Sequence, residues 1–136
     1  MLTRVTNMII EERGNIDYQE FATAPGPTVV LVPGSCSTGA AWQLVMAQWE
    51  NRFRCVTTSL LGYGGTAERR KAQDASIAYE AEILESVVRR AAGRVHLVGH
   101  SFGGAAGHCQ NNCQAPILDE ERRTIMRHGG VRGTCA

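Results

Sequence analysis

Val95-His96-Leu97-Val98-Gly99-His100-Ser101-Phe102-Gly103-Gly104 is the stretch on which the reading of this chain turns. A short apolar run leads into Gly-x-Ser-x-Gly, and small residues follow the serine. That order suits a strand ending in a very tight turn that lifts Ser101 to the start of a helix. Gly99 and Gly103 flank a backbone that doubles back sharply, where a Cβ would strike the neighbouring turn. Ser101 is expected to be strained there, with its hydroxyl exposed above the sheet. The backbone N–H of Phe102, in the first helical turn, would point at the negative charge that develops when such a serine attacks a carbonyl. The plainer alternative is a strand-to-helix turn whose serine only caps the helix.

Two upstream segments favour the nucleophile over the cap. Pro27-Thr28-Val29-Val30-Leu31-Val32-Pro33-Gly34-Ser35 is a buried-strand run ending in a glycine loop. Cys55-Val56-Thr57-Thr58-Ser59-Leu60-Leu61-Gly62-Tyr63-Gly64-Gly65-Thr66 is a second strand running into a glycine-rich loop. With these three segments in order, the chain resembles the N-terminal half of the α/β-hydrolase family, in its serine, esterase-like branch, over about residues 8 to 106. In that family the loop after the third strand usually reads His-Gly-x, and the N–H of x completes the oxyanion hole. Here Ser35 takes the x position and Pro33 replaces the histidine. The loop after the fourth strand usually reads Asp-x-x-Gly-x-Gly-x-Ser, and here Ser59 and Thr66 replace its aspartate and serine.

The resemblance implies a partial α/β-hydrolase sheet, mainly parallel, with an antiparallel N-terminal hairpin and the later strands missing. It also implies acyl transfer to water, with Ser101 as nucleophile and the N–H groups of Phe102 and Ser35 as oxyanion donors. The serine disfavours the family's dehalogenases and epoxide hydrolases, which use aspartate at this place. The expected partner is a small-molecule substrate, with no cofactor and no metal.

Periodicity gives the rest of the expected architecture. Val5 to Glu12 and Ile16 to Ala22 read as antiparallel strands around a Gly14-Asn15 turn. Ala40 to Asn51 carries Trp42, Val45, Met46 and Trp49 at helical spacing, and both tryptophans read as core. Arg54 to Leu60 and Arg94 to Gly99 are strands. Ser76 to Ala92 is the clearest helix: Ile77, Ile83, Leu84, Val87 and Val88 form one apolar stripe, Ser76 caps it, and Arg89-Arg90 complement its dipole. Strands alternating with helices predict a mainly parallel sheet.

The 136 residues suffice for one domain with a real core. A formal charge of +1, with both signs mixed, gives no reason to invoke nucleic acid or a membrane surface. No segment is apolar enough to span a bilayer, and Met1 to Arg13 lacks the apolar region and cleavage site of a signal peptide, so a cytoplasmic location is the default expectation.

After Ala106 the text changes character, so the chain divides into an N-terminal half-domain, 1–106, and an atypical polar tail, 107–136. Gly107-His108-Cys109-Gln110-Asn111-Asn112-Cys113-Gln114 is polar where a helix behind the nucleophile should be apolar, and Pro116 interrupts it. Ile117 to His128 reads as a short charged helix, and Gly129 to Ala136 as a disordered end. Truncation or a frameshift would produce such a tail.

An activated serine needs an imidazole and a carboxylate that orients it. The family's order of serine, acid, histidine does occur in the tail as Ser101, then Asp119, Glu120 or Glu121, then His128. No strands remain there to position those loops, and the acids also read as the N-terminal turn of a solvated helix. His108 lies about two helical turns past the serine, His100 should point elsewhere, and His96 reads as packing or surface. None of the four histidines is a convincing base on sequence grounds. His108, Cys109, Cys113, His128 and Cys135 could together ligate zinc, but their spacing matches no recognised pair. Cys36, beside the oxyanion loop, reads as a loop cysteine with no histidine to activate it.

Three functions follow from these observations: a serine hydrolase whose chain is incomplete, a noncatalytic dimeric or partner-binding remnant of the fold, and a zinc-tail protein. With later strands missing, the strand carrying Ser101 would be an unprotected apolar edge, which predicts low solubility, a homodimer through that edge, or dependence on a partner.

Overall fold

A computed structural model of the protein describes residues 4–6, 8–21, 26–49, 52–71, 76–91, 94–113 and 123–128. Six strands form one sheet: β1 (Arg4–Thr6), β2 (Tyr18–Phe21), β3 (Thr28–Val32), β4 (Arg54–Thr58), β5 (Val95–His100) and β6 (Arg123–His128), in the order β1-β2-β4-β3-β5-β6. The β1–β2 and β2–β4 pairs are antiparallel, and the β4–β3, β3–β5 and β5–β6 pairs are parallel. The expected mixed sheet with an N-terminal antiparallel hairpin is therefore present. Gly14 lies at the hairpin turn with a φ of +123°, a conformation that favours glycine.

Helices cover both faces. A short 3-10 turn, Gly39–Trp42, leads into α1 (Gln43–Trp49), while α2 (Ala78–Arg90) and α3 (Phe102–Cys113) follow β4 and β5. Alternation along the strands sorts the core into two clusters. Val30 and Val32 of β3, Val56 of β4, and Val95 and Leu97 of β5 meet Ile83, Leu84 and Val87 of α2 and Ala106 of α3. Val29 and Leu31 of β3, with Phe21 and Cys55, meet Met46 of α1 on the other side, with Trp42, Trp49, Phe53 and Val98 packed against them. Trp49 and Phe53 make an edge-to-face pair with centroids 5.3 Å apart. Both tryptophans thus pack against core, as their spacing predicts.

The stripe on α2 matches the reading, and the Ala78 N–H donates to Ser76 Oγ at 3.2 Å, which caps the helix start. The stripe also contains Glu80, only 2% exposed, whose carboxylate accepts the Leu61 N–H at 3.1 Å. Burial holds the Glu80 carboxyl above the ordinary carboxylate range, against the opposing pull of that hydrogen bond and of Arg70.

The region after Ala106 departs from the sequence reading in one element. The helix that starts after Ser101 runs through the polar stretch to Cys113, short of Pro116. Residues 123–128, expected to be helical, form β6 and pair in parallel with β5 from Val95↔Arg123 to His100↔His128. A free strand edge offers a ladder of hydrogen-bond partners that outweighs the weak local preference of this stretch. The strand carrying Ser101 is therefore flanked by β3 and β6, and the open edge expected on it does not exist. The expected disordered end, 129–136, lies outside the described residues.

Candidate active site

The parallel pairing of β3 with β5 decides what lies beside Ser101. Val32 is in register with Gly99, so both chains leave the sheet at the same end, one into Pro33-Gly34-Ser35 and the other into the Ser101 turn. Ser101 has a φ of +53°, the left-handed region, which costs a residue with a side chain about 1–3 kcal/mol. It is exposed, and α3 starts at the next residue, with the Gly104 and Ala105 N–H groups donating to the Ser101 carbonyl at 3.0 and 3.2 Å. The sharp turn predicted from the glycines is present.

Two of those glycines are required by close approach. A Cβ on Gly99 would stand 2.6 Å from the Gly103 oxygen and from the backbone of Gly104. A Cβ on Gly103 would stand 2.2 Å from the Pro33 carbonyl oxygen and 2.7 Å from that of Val32. The first turn of α3 is thereby pressed onto the end of β3, next to Ser35.

A cavity of about 420 Å³ opens at this end of the sheet. Its lining joins Pro33, Gly34, Ser35 and Ser37 from the loop after β3, Ala41, Trp42 and Val45 from the 3-10 turn and α1, and His100 and Ser101 from the end of β5. Ser101 and Ser35 thus border one space. Phe102 is half-buried at the head of α3 and packs against the larger core cluster. Contrary to the reading that His100 points elsewhere, its imidazole lines this cavity, with Nδ1 3.0 Å from where a Gly34 Cβ would stand. The Ser101 Cβ lies 3.4 Å from the same point.

A second element of the site was not read from the sequence. Ser59, standing where the resemblance leads one to expect aspartate, donates to Asp17 Oδ2 at 2.6 Å and accepts the Gly39 N–H at 3.2 Å. Thr66 Oγ donates to the Ser59 carbonyl at 2.7 Å and accepts the Asp17 N–H at 3.0 Å. Thr58 Oγ donates to the Asp17 carbonyl at 2.7 Å. A carboxylate just before β2 therefore serves the loop whose own acid is missing, and through Ser59 it fixes the start of the turn that carries Ala41 and Trp42. Gly64, at φ +54°, permits this, since a Cβ there would stand 2.7 Å from Ser59 Oγ.

Cys36 also has a left-handed backbone, φ +58°, and is exposed between Ser35 and Ser37. Its sulfur accepts the Tyr63 hydroxyl at 3.5 Å, a contact that raises the pKa of the phenol. Cys55 is buried, and burial pushes its thiol up to about 11, which leaves it a packing residue.

The tail candidates divide by position. His108, Cys109 and Cys113 fall on α3, His128 ends β6 in register with His100, and Asp119, Glu120, Glu121 and Cys135 lie outside the described residues. Among the described residues no cluster of His, Cys, Asp and Glu could hold a metal ion, and no helix is long and apolar enough to cross a membrane.

A mainly parallel sheet covered on both faces, with a strained serine between a strand end and a helix start, defines the α/β-hydrolase fold. A family model described as "Alpha/beta hydrolase family" matches residues 29–131, and the chain belongs to that family. An uncharacterized protein of Mycobacterium bovis is 30% identical over 106 residues, 78% of this chain and 30% of that protein. The chain therefore spans about 30% of the length of the curated relatives it matches. Among solved structures, the thioesterase domain from the curacin biosynthetic pathway superposes with a TM-score of 0.76 at 17% identity, covering 92% of this chain and 46% of that one. E-2-(acetamidomethylene)succinate hydrolase superposes with a TM-score of 0.70 at 20% identity, covering 85% of this chain and 42% of that one. Such low identities bear on fold alone.

Proposed function

We propose that this chain carries the nucleophile and oxyanion donors of a serine hydrolase that acts on an ester-like carbonyl through an acyl-enzyme. The observation that carries this reading is the left-handed Ser101 at the mouth of the cavity, with a helix starting directly behind it. In the proposed reaction the Ser101 oxygen attacks the carbonyl carbon of a small-molecule substrate and loses its proton to an imidazole. The carbonyl π pair moves onto oxygen, where the Phe102 and Ser35 N–H groups donate to it. Collapse of that intermediate expels the protonated leaving group, and water later repeats the sequence on the acyl-serine. Imidazole-bearing positions exist at this end of the sheet: His100 in the cavity lining and His128 in register with it on β6.

The noncatalytic dimer is less well supported, because the strand expected to pair with a second copy is already flanked on both sides. Labelling with a fluorophosphonate, read by intact mass and peptide mapping, tests the hydrolase reading. One adduct on Ser101, absent from Ser101→Ala, is the expected result. No adduct, or one that survives the substitution, refutes it.

A further inference from the structure

We propose that the cavity beside Ser101 admits an uncharged, apolar acyl group and that Trp42 sets this preference. The proposal deepens the hydrolase reading and rests on it. Charge is the first observation. Among the described residues lining the cavity there is no Asp, Glu, Lys or Arg, and His100 is the one titratable side chain. A substrate carboxylate placed there would lose its hydration without gaining a charged partner among those residues.

The second observation is how the apolar wall is built. Ala41, Trp42 and Val45 come from one short helical segment, so a single element presents them together. Trp42 is held from behind, packed against the cluster of Phe21, Leu31 and Met46. Its turn is anchored at Gly39 by the Ser59 hydroxyl, which Asp17 orients. An indole fixed in this way offers an apolar surface at little entropic cost to a ligand.

Binding and reactivity test the proposal separately from the hydrolase reading. Isothermal titration of the full chain with neutral alkanamides, from acetamide to hexanamide, should show affinity rising by about fourfold per methylene, the gain of burying one CH₂. Analogues ending in a carboxylate should bind about tenfold more weakly or worse, because the charge is desolvated unpaired. Trp42→Phe should keep the chain-length series, and Trp42→Ala should flatten it. Val45→Lys, a change at a half-buried helical position, should reverse the discrimination in favour of the carboxylate analogues.

A flat series in the unsubstituted chain, equal affinity for charged and neutral ligands, or no alkanamide binding overturns the proposal. A Val45→Lys variant that still rejects carboxylates overturns it as well, whatever happens to Trp42→Ala. Fluorophosphonate labelling is scored in parallel. Loss of labelling with the alkanamide preference intact sinks the hydrolase reading alone, and labelling with no such preference sinks the acyl-group proposal alone.

Discussion

Replacing Gly103 with alanine adds one methyl group at the tightest glycine approach described here. The new Cβ would stand 2.2 Å from the Pro33 oxygen, 2.7 Å from the Val32 oxygen and 3.0 Å from the Pro33 carbonyl carbon. All three are backbone atoms, so no side chain can swing aside. Relief requires α3 to move off β3 by about an ångström, the difference between these separations and ordinary contact distances near 3.5 Å. Overpacking of this kind costs about 1–3 kcal/mol where side chains can adjust. With backbone on both sides, the upper figure of about 3 kcal/mol is the expected minimum. An unfolding entropy of roughly 2.1 cal/mol/K per residue then predicts a fall in Tm of about 10 °C. Gly104→Ala is the matched control, because its Cβ would lie 3.3 Å from the Gly99 oxygen, and alanine is the better helix former by up to about 1 kcal/mol. Its Tm should stay within about 4 °C of the unsubstituted protein. Thermal unfolding followed by circular dichroism measures both. Equal Tm values for the two variants would refute the claim that the elbow is clamped by backbone contact.

The buried network and the buried acid give further tests. Asp17→Ala leaves the Ser59 hydroxyl without its acceptor and should cost about 1–3 kcal/mol in urea unfolding, whereas Asp17→Asn, which keeps an acceptor, should cost less. Indistinguishable midpoints for the two would show that the network contributes little. For Glu80 the folded carboxyl titrates above its unfolded value of 4.5. Its contribution is thus fully present below that pH and declines as pH rises through the folded pKa. Urea midpoints measured from acid to neutral pH should move in favour of Glu80→Gln as pH increases, and a constant difference would contradict the burial argument. Glu82→Ala, which breaks the exposed pair with Arg13, should change stability by less than about 1 kcal/mol in the same assay.

What was legible in the chain was what neighbouring residues decide among themselves. The apolar run at Val29 to Val32, the stripe on α2 and the Gly-x-Ser-x-Gly turn carry their period or their steric demand locally, and each appears where expected. Asp17 was passed over because its role is defined by Ser59, far along the chain, and nothing around it marks it as an acid with a task. Glu80 carries no mark of its burial in the sequence, because the Leu61 N–H it accepts comes from a loop 19 residues earlier. His100 was misjudged because its surroundings depend on Gly34 across the β3–β5 pairing. The difference at 123–128 has the same origin: charge spacing suggested a helix, and the vacant side of β5 took these residues as a strand instead.

The β3–β5 pairing ends at Val32↔Gly99, and it brings the cavity residues of the loop after β3 beside those at the end of β5. An unfolded chain holds the serine and its facing loop far apart, however intact each may be locally. Any reactivity of Ser101 is accordingly a gauge of completed folding: the fraction modified under denaturing titration should trace the fraction of closed sheet, with no early riser.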